Sequence, residues 1–118
     1  MKVIVAGSRT IEDYDLVEKI IFKSGFKITE IVSGDCKGVD RLALDYAKKH
    51  HIKTKLFPAI WAKLGKTAGL KRNYDMANYA DALIAIWDGT SLGTGDMIRK
   101  AKNRGLEIFI YNTKYENL

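Results

Sequence analysis

Ala82-Leu83-Ile84-Ala85-Ile86-Trp87-Asp88-Gly89-Thr90-Ser91-Leu92-Gly93-Thr94-Gly95 decides how this chain is read. An apolar run of strand length gives way to a loop of Gly, Ser and Thr, and a helical pattern follows from Asp96 to Arg104. This succession suits the holding of an anion. The first N–H groups of a helix have no partner within it, and the helix dipole favours negative charge there. Glycine lets the backbone approach a phosphate closely, and hydroxyls add donors.

The arrangement recurs along the chain. Val3-Ile4-Val5-Ala6 runs into Gly7-Ser8-Arg9-Thr10, and Ile31-Val32 runs into Ser33-Gly34-Asp35-Cys36-Lys37-Gly38, each ahead of a helical pattern. In an open parallel sheet the strand carboxyl ends emerge on one edge, where ligands bind. Tight strand-to-helix turns also favour Gly for connection alone, so the weight lies in the repetition.

Working outward, strand and helix signals alternate throughout. The strands expected are Lys2–Ala6, Glu30–Ser33, Lys53–Phe57 (stopped by Pro58), Ala82–Trp87 and Glu107–Tyr111. The first helix carries Leu16, Val17, Ile20 and Ile21 inward, with Thr10 as its N-cap and Ser24-Gly25 as its end. Val39, Leu42, Ala43, Tyr46 and Ala47 have helical spacing, and a third helix is expected from about Ala68 to Tyr79. The fourth, from Asp96, turns Met97, Ile98 and Ala101 inward and stops at Gly105. The fold class is therefore α/β: a doubly wound, mostly parallel sheet of about five strands with helices on both faces. In the order 3-2-1-4-5, Gly7-Ser8-Arg9 and the Asp88–Gly95 loop face each other across one crevice.

Composition narrows the possibilities. The 118 residues fit one domain, 1–118, and 47% hydrophobic with 29% charged residues matches a soluble globular protein. No apolar run approaches the length of a membrane span and no signal peptide is evident, so a cytoplasmic location without membrane association is expected. Cys36 is the only cysteine, which excludes an intrachain disulfide; it reads as a small residue in a tight loop. His50 and His51 sit at a helix end and read as surface residues, and no metal-ligand spacing occurs, so no metal and no cofactor are expected. The net charge of +6 suits a polyanion such as a nucleotide or nucleic acid, although the lysines are scattered as on a solubilising surface.

Two standard fingerprints fail. Gly7 is followed by Ser8, Arg9 and Thr10, not by the spaced glycines of a dinucleotide-binding turn. Gly65-Lys66-Thr67 resembles the end of a P-loop, but Ile60 stands where its first glycine is required.

Another pattern does match. Gly7-Ser8-Arg9, Ser33-Gly34 with Gly38-Val39-Asp40-Arg41-Leu42-Ala43, Lys66-x-Ala68-Gly69-x-x-Arg72-Asn73-x-x-Met76, and Ala80 through Thr94 together resemble the SLOG superfamily, and within it the YspA/YpsA-related group. The resemblance covers roughly residues 2 to 111. It implies a Rossmann-like fold binding nucleotides or nucleotide-derived ligands, in a group that includes LOG phosphoribohydrolases, the DNA-processing protein DprA and sensors of NAD-derived signals. It also implies a homodimer or higher homo-oligomer. One departure matters: the Glu that assists glycosidic cleavage in the LOG enzymes is Met97 here, and a thioether does no acid–base chemistry. Arg72 resembles the arginine of their catalytic region, or holds a phosphate.

The expected ligand contacts are Gly7, Ser8, Arg9, Gly34, Lys37, Gly38, Asp40, Arg72, Asn73, Asp88, Ser91, Gly93, Thr94 and Gly95. Gly93, Thr94 and Gly95 hold phosphate; Arg9 suits bidentate phosphate recognition; Asp40 caps backbone donors or takes a ribose hydroxyl; Asp88 takes a ribose hydroxyl or holds its loop. Trp61 is a candidate for stacking on a base or for packing. The leading expectation is a module that senses or sequesters a nucleotide-derived small molecule. One alternative is N-glycosidic hydrolysis with Asp88 or Asp96 replacing the missing Glu, beside Arg72. A further alternative is single-stranded nucleic-acid binding.

Overall fold

The computed structural model describes residues 1–59 and 67–115. The elements in chain order are β1 (Lys2–Gly7), α1 (Tyr14–Lys23), β2 (Glu30–Ser33), α2 (Val39–Lys49), β3 (Lys53–Leu56), α3 (Ala68–Tyr79), β4 (Ala82–Trp87), α4 (Leu92–Asn103) and β5 (Glu107–Asn112), then a 3-10 turn at Thr113–Tyr115. The five strands form one parallel sheet in the order β3-β2-β1-β4-β5. This is the doubly wound α/β arrangement that the alternating pattern predicts. The chain winds from β1 to one side through β2 and β3, then returns beside β1 as β4. The reversal leaves the carboxyl ends of β1 and β4 adjacent, with Gly7 registered against Ile86.

The core follows from strand alternation, which sends successive side chains to opposite faces. Val3, Val5, Ala82, Ile84 and Ile86 meet Val17, Ile20 and Ile21 of α1 and Val39, Ala43 and Ala47 of α2 on one face. Ile4, Ala6, Val32, Leu83 and Ala85 meet Met76 and Ala77 of α3 and Met97, Ile98 and Ala101 of α4 on the other. Because both its faces are covered, β4 reads as a continuous apolar run. Leu83, Ile84 and Ile86 are fully buried, and each such side chain contributes about 1.5–3 kcal/mol through burial.

Two helix starts differ from expectation. α1 is capped by Asp13, whose side chain accepts from the Leu16 N–H, and not by Thr10. The chain spends Ser8 to Glu12 crossing the sheet edge before it can turn. α4 begins at Leu92, four residues before Asp96. Asp88 Oδ1 accepts the N–H groups of Thr90 (2.9 Å) and Ser91 (2.7 Å), a local turn that aims the backbone into the helix ahead of its glycines. Among the described residues no helix is long and apolar enough to cross a membrane.

Candidate functional site

A cavity of about 410 Å³ opens at the carboxyl edge where β1 and β4 lie side by side. Its walls come from four places. The β1–α1 segment gives Gly7, Ser8, Arg9 and Thr10; the β2–α2 side gives Cys36 and Asp40; α3 gives Arg72, Asn73 and Met76; the β4–α4 segment gives Asp88, Ser91, Leu92, Gly93, Thr94 and Met97. Arg9 and Thr94, 85 positions apart in sequence, border the same space.

The β4 side is built around Asp88. Both its oxygens are taken: Oδ1 by the two turn N–H groups, Oδ2 by the Ser91 hydroxyl at 2.9 Å. These donors, led by the Ser91 and Thr90 amides, hold its carboxyl down at about 2. With Ser91 Oγ directed to Asp88, its side chain makes no cap bond to α4. Among the described residues no acceptor takes the N–H groups of Leu92, Gly93 or Thr94; Gly95 donates to Ser91 O at 3.1 Å. Thr94 is 6% exposed, borders the cavity, and its hydroxyl has no hydrogen-bond partner among the described residues. Ser8 Oγ and Ser91 Oγ lie 3.3 Å apart, joining the two central loops.

The opposite wall is charged. Asp40, in the first turn of α2, is 6% exposed, and its Oδ2 accepts from Cys36 N at 3.2 Å. Burial pushes its carboxyl up to about 6, against the Cys36 amide and the fields of Arg72 and Arg9. Arg72 reaches across from α3 and donates through Nη1 to Gly34 O (2.8 Å) and toward Cys36 Sγ (3.5 Å). Its neighbour Asn73 points the other way, donating to Gly93 O (3.2 Å) and Asp96 Oδ2 (3.0 Å). Consecutive residues of α3 thus tie the two walls together.

Of the residues expected to contact ligand, Gly7, Ser8, Arg9, Asp40, Arg72, Asn73, Asp88, Ser91, Gly93 and Thr94 border the cavity. Gly34, Lys37, Gly38 and Gly95 do not, and neither does the acid–base candidate Asp96. The second loop is a support, not a lining. Val39 N donates to Ser8 O at 3.3 Å, so this amide of α2 is already occupied. Gly38 has φ +82, and a Cβ there would lie 2.5 Å from Ser8 O, so this glycine seats the β1–α1 turn. Gly34 leaves space for the guanidinium: an added Cβ would meet Arg72 Nη1 at 2.0 Å. Lys37 faces solvent. Gly95 packs toward Trp87. Asp96 is buried among Asn73, Lys100 (2.7 Å) and Arg99 (3.4 Å). Trp61 lies outside the described residues.

Sequence reasoning overlooked Cys36, Met76 and Met97 as lining. Met97 has the spacing of the inward stripe of α4, but that stripe runs from the core up to the cavity floor.

With this geometry established, three likenesses bear on the chain. The family model described as "YspA, cpYpsA-related SLOG family" matches residues 1–64. Gene 61 protein of Mycobacterium phage D29 is 28% identical over 123 residues, covering 96% of this chain and 98% of that protein. Among solved structures, DNA processing protein A (DprA) from Streptococcus pneumoniae superposes with a TM-score of 0.75 at 22% identity, over 98% of this chain and 52% of that one. The chain spans about half the length of that protein, and the likeness is one of fold.

Proposed function

The chain belongs to the YspA, cpYpsA-related SLOG family, and from that premise we propose that residues 1–118 form one domain that binds a phosphate-bearing, nucleotide-derived ligand in the β1–β4 cavity. The observation that carries this reading is the pole at the start of α4. Three amides without acceptors among the described residues and the unpartnered Thr94 hydroxyl meet the same space as Arg9. A phosphate there satisfies the amides, meets the positive end of the helix dipole and pairs with a guanidinium. Sensing or sequestering fits better than hydrolysis. Asp88 is committed to its own turn, Asp96 faces away from the cavity, and Met97 has no proton to give.

Calorimetric titration with inorganic phosphate, nucleoside monophosphates, cyclic nucleotides, ADP-ribose and NAD tests the reading. At least one nucleotide is expected to bind the full chain, with affinity falling about tenfold or more in Arg9→Ala and in Thr94→Val, the loss expected for a charge-assisted or buried hydrogen bond. Binding of none by a folded protein overturns it.

A second reading, binding of single-stranded nucleic acid, is supported by the net charge of +6 and by the fold shared with a DNA processing protein. It requires oligonucleotide affinity that drops steeply with salt. Absent or salt-insensitive binding removes it.

A further inference from the structure

Phe22 stands 82% exposed in the last turn of α1, on the side of the sheet away from α3 and α4. It borders an open groove of about 400 Å³ between α1 and α2. α1 turns Asp15, Glu18, Lys19 and Phe22 to this groove, the spacing of a single helix face. α2 supplies Tyr46, Lys49 and His50 as the other wall. That wall is fixed. The Tyr46 and His50 rings pack with centroids 4.2 Å apart. Glu18 Oε2 accepts from Tyr14 Oη (3.1 Å) and Lys49 Nζ (3.0 Å), and lies 3.1 Å from His50 Nε2. An aromatic knob thus stands uncovered beside a hole whose shape is already set.

The charges along the groove say what covers it. Asp15 and Glu18 balance Lys19 and Lys49. A strongly acidic or strongly basic partner gains little from such a surface, whereas a copy of the same surface returns both signs. Lys19 makes no hydrogen bond or ion pair among the described residues. A two-fold axis between positions 18 and 19 lays α1 antiparallel to the α1 of a second copy. Each Lys19 then lies opposite the copy's Glu18, and each Phe22 lies opposite the copy's Asp15, at the copy's groove. An isologous contact needs its knob and its hole on one patch, and this patch has both.

We propose that the α1–α2 groove is the interface of a two-fold homodimer, in which Phe22 of each copy enters the groove of the other and Lys19 pairs with the copy's Glu18. None of the groove residues borders the β1–β4 cavity, so the dimer stands apart from the ligand reading. The contact centres on one helix pair, at the small end of stable interfaces, and a dissociation constant of about 1–100 μM is expected.

Sedimentation equilibrium of the full chain without ligand, from about 1 μM to 1 mM, tests the proposal. The mean mass is expected to climb from 13.3 kDa toward twice that value. Phe22→Ala should weaken association at least about tenfold, as loss of a central aromatic anchor does. Lys19→Glu, which sets carboxylate against carboxylate, should weaken it as well. Leu70→Ser, at an exposed apolar position of α3, should leave it unchanged. Urea midpoints show whether each variant is folded. A chain that stays at 13.3 kDa throughout overturns the proposal. So does association that Leu70→Ser abolishes and Phe22→Ala does not. If Phe22→Ala fails to fold, Lys19→Glu decides.

Discussion

Gly7 ends β1 at a point where even one methyl group collides with backbone. An added Cβ would sit 2.2 Å from Ile86 O and 2.7 Å from Val39 Cγ2. The carbonyl belongs to the central strand pair and cannot swing aside, so Gly7→Ala is expected to cost about 1–3 kcal/mol or more in urea denaturation. At Gly93 an added Cβ meets nothing within 4 Å in the first turn of α4. Gly93→Ala should be neutral or stabilising by up to about 1 kcal/mol. Both glycines look alike in sequence, as small residues between a strand and the helix that follows it. What separates them is the approach of β4 and α2 to Gly7, which local sequence does not encode. Asp40 makes a second residue-scale prediction. Its folded carboxyl stands at about 6 against an ordinary 3.8 because burial disfavours the charge. A raised carboxyl means that the folded state holds the proton more tightly than the unfolded chain. Stability from this group is therefore greatest below pH 4, falls as pH rises from about 4 to 6, and is level above. The full loss is on the order of 3 kcal/mol. Asp40→Asn should lack that decline, gaining on the unaltered chain above pH 6 and matching it in acid.

At the scale of elements, the β4–α4 connection shows where sequence reading succeeds and where it stops. Strand β4 was legible residue for residue, because an apolar run with both faces covered leaves no ambiguity of period. The start of α4 was not. Leu92-Gly93-Thr94-Gly95 has poor helix propensity, and glycine lacks a preference for the helical well. The Asp88 carboxylate settles the matter by fixing Thr90 and Ser91. Its carboxyl, held at about 2 by those amides, contributes stability that is present above pH 4 and is lost as pH falls from about 4 to 2. Asp88→Ala should be less stable than the unaltered chain at neutral pH, with the two urea midpoints converging in that acid window. A constant gap down to pH 2 would show that the turn does not depend on the charge. The expected cap Thr10 failed for a related reason. Thr10 and Asp13 both have capping side chains, and only the span across the cavity rim decides that the helix waits for Asp13.

Over the whole molecule, the doubly wound class was the most legible feature, since alternation and right-handed crossovers leave few arrangements, while the strand order β3-β2-β1-β4-β5 is settled by packing between distant segments. The cavity was legible as a meeting of loops but not in its partition. Nothing local shows that Arg72 and Asn73 turn to opposite walls, or that Asp96 spends its charge on Lys100. The sheet is also uneven. β1 and β4 are buried and paired on both edges, while all four residues of β3 are exposed and β3 pairs with β2 alone. Amide hydrogen exchange should therefore be slowest in β1 and β4, close to the global unfolding limit, and fastest among strands in β3. Equal protection of β3 would point to a covering partner in solution.

Cys36 is the sole sulfhydryl of the chain and stands at the rim beside Asp40 and Arg72. Every copy of the protein therefore carries one natural labelling point at its mouth. A chromogenic disulfide reagent should titrate a single group per chain, and its rate should slow once the interior is filled, giving an occupancy gauge without any engineered dye.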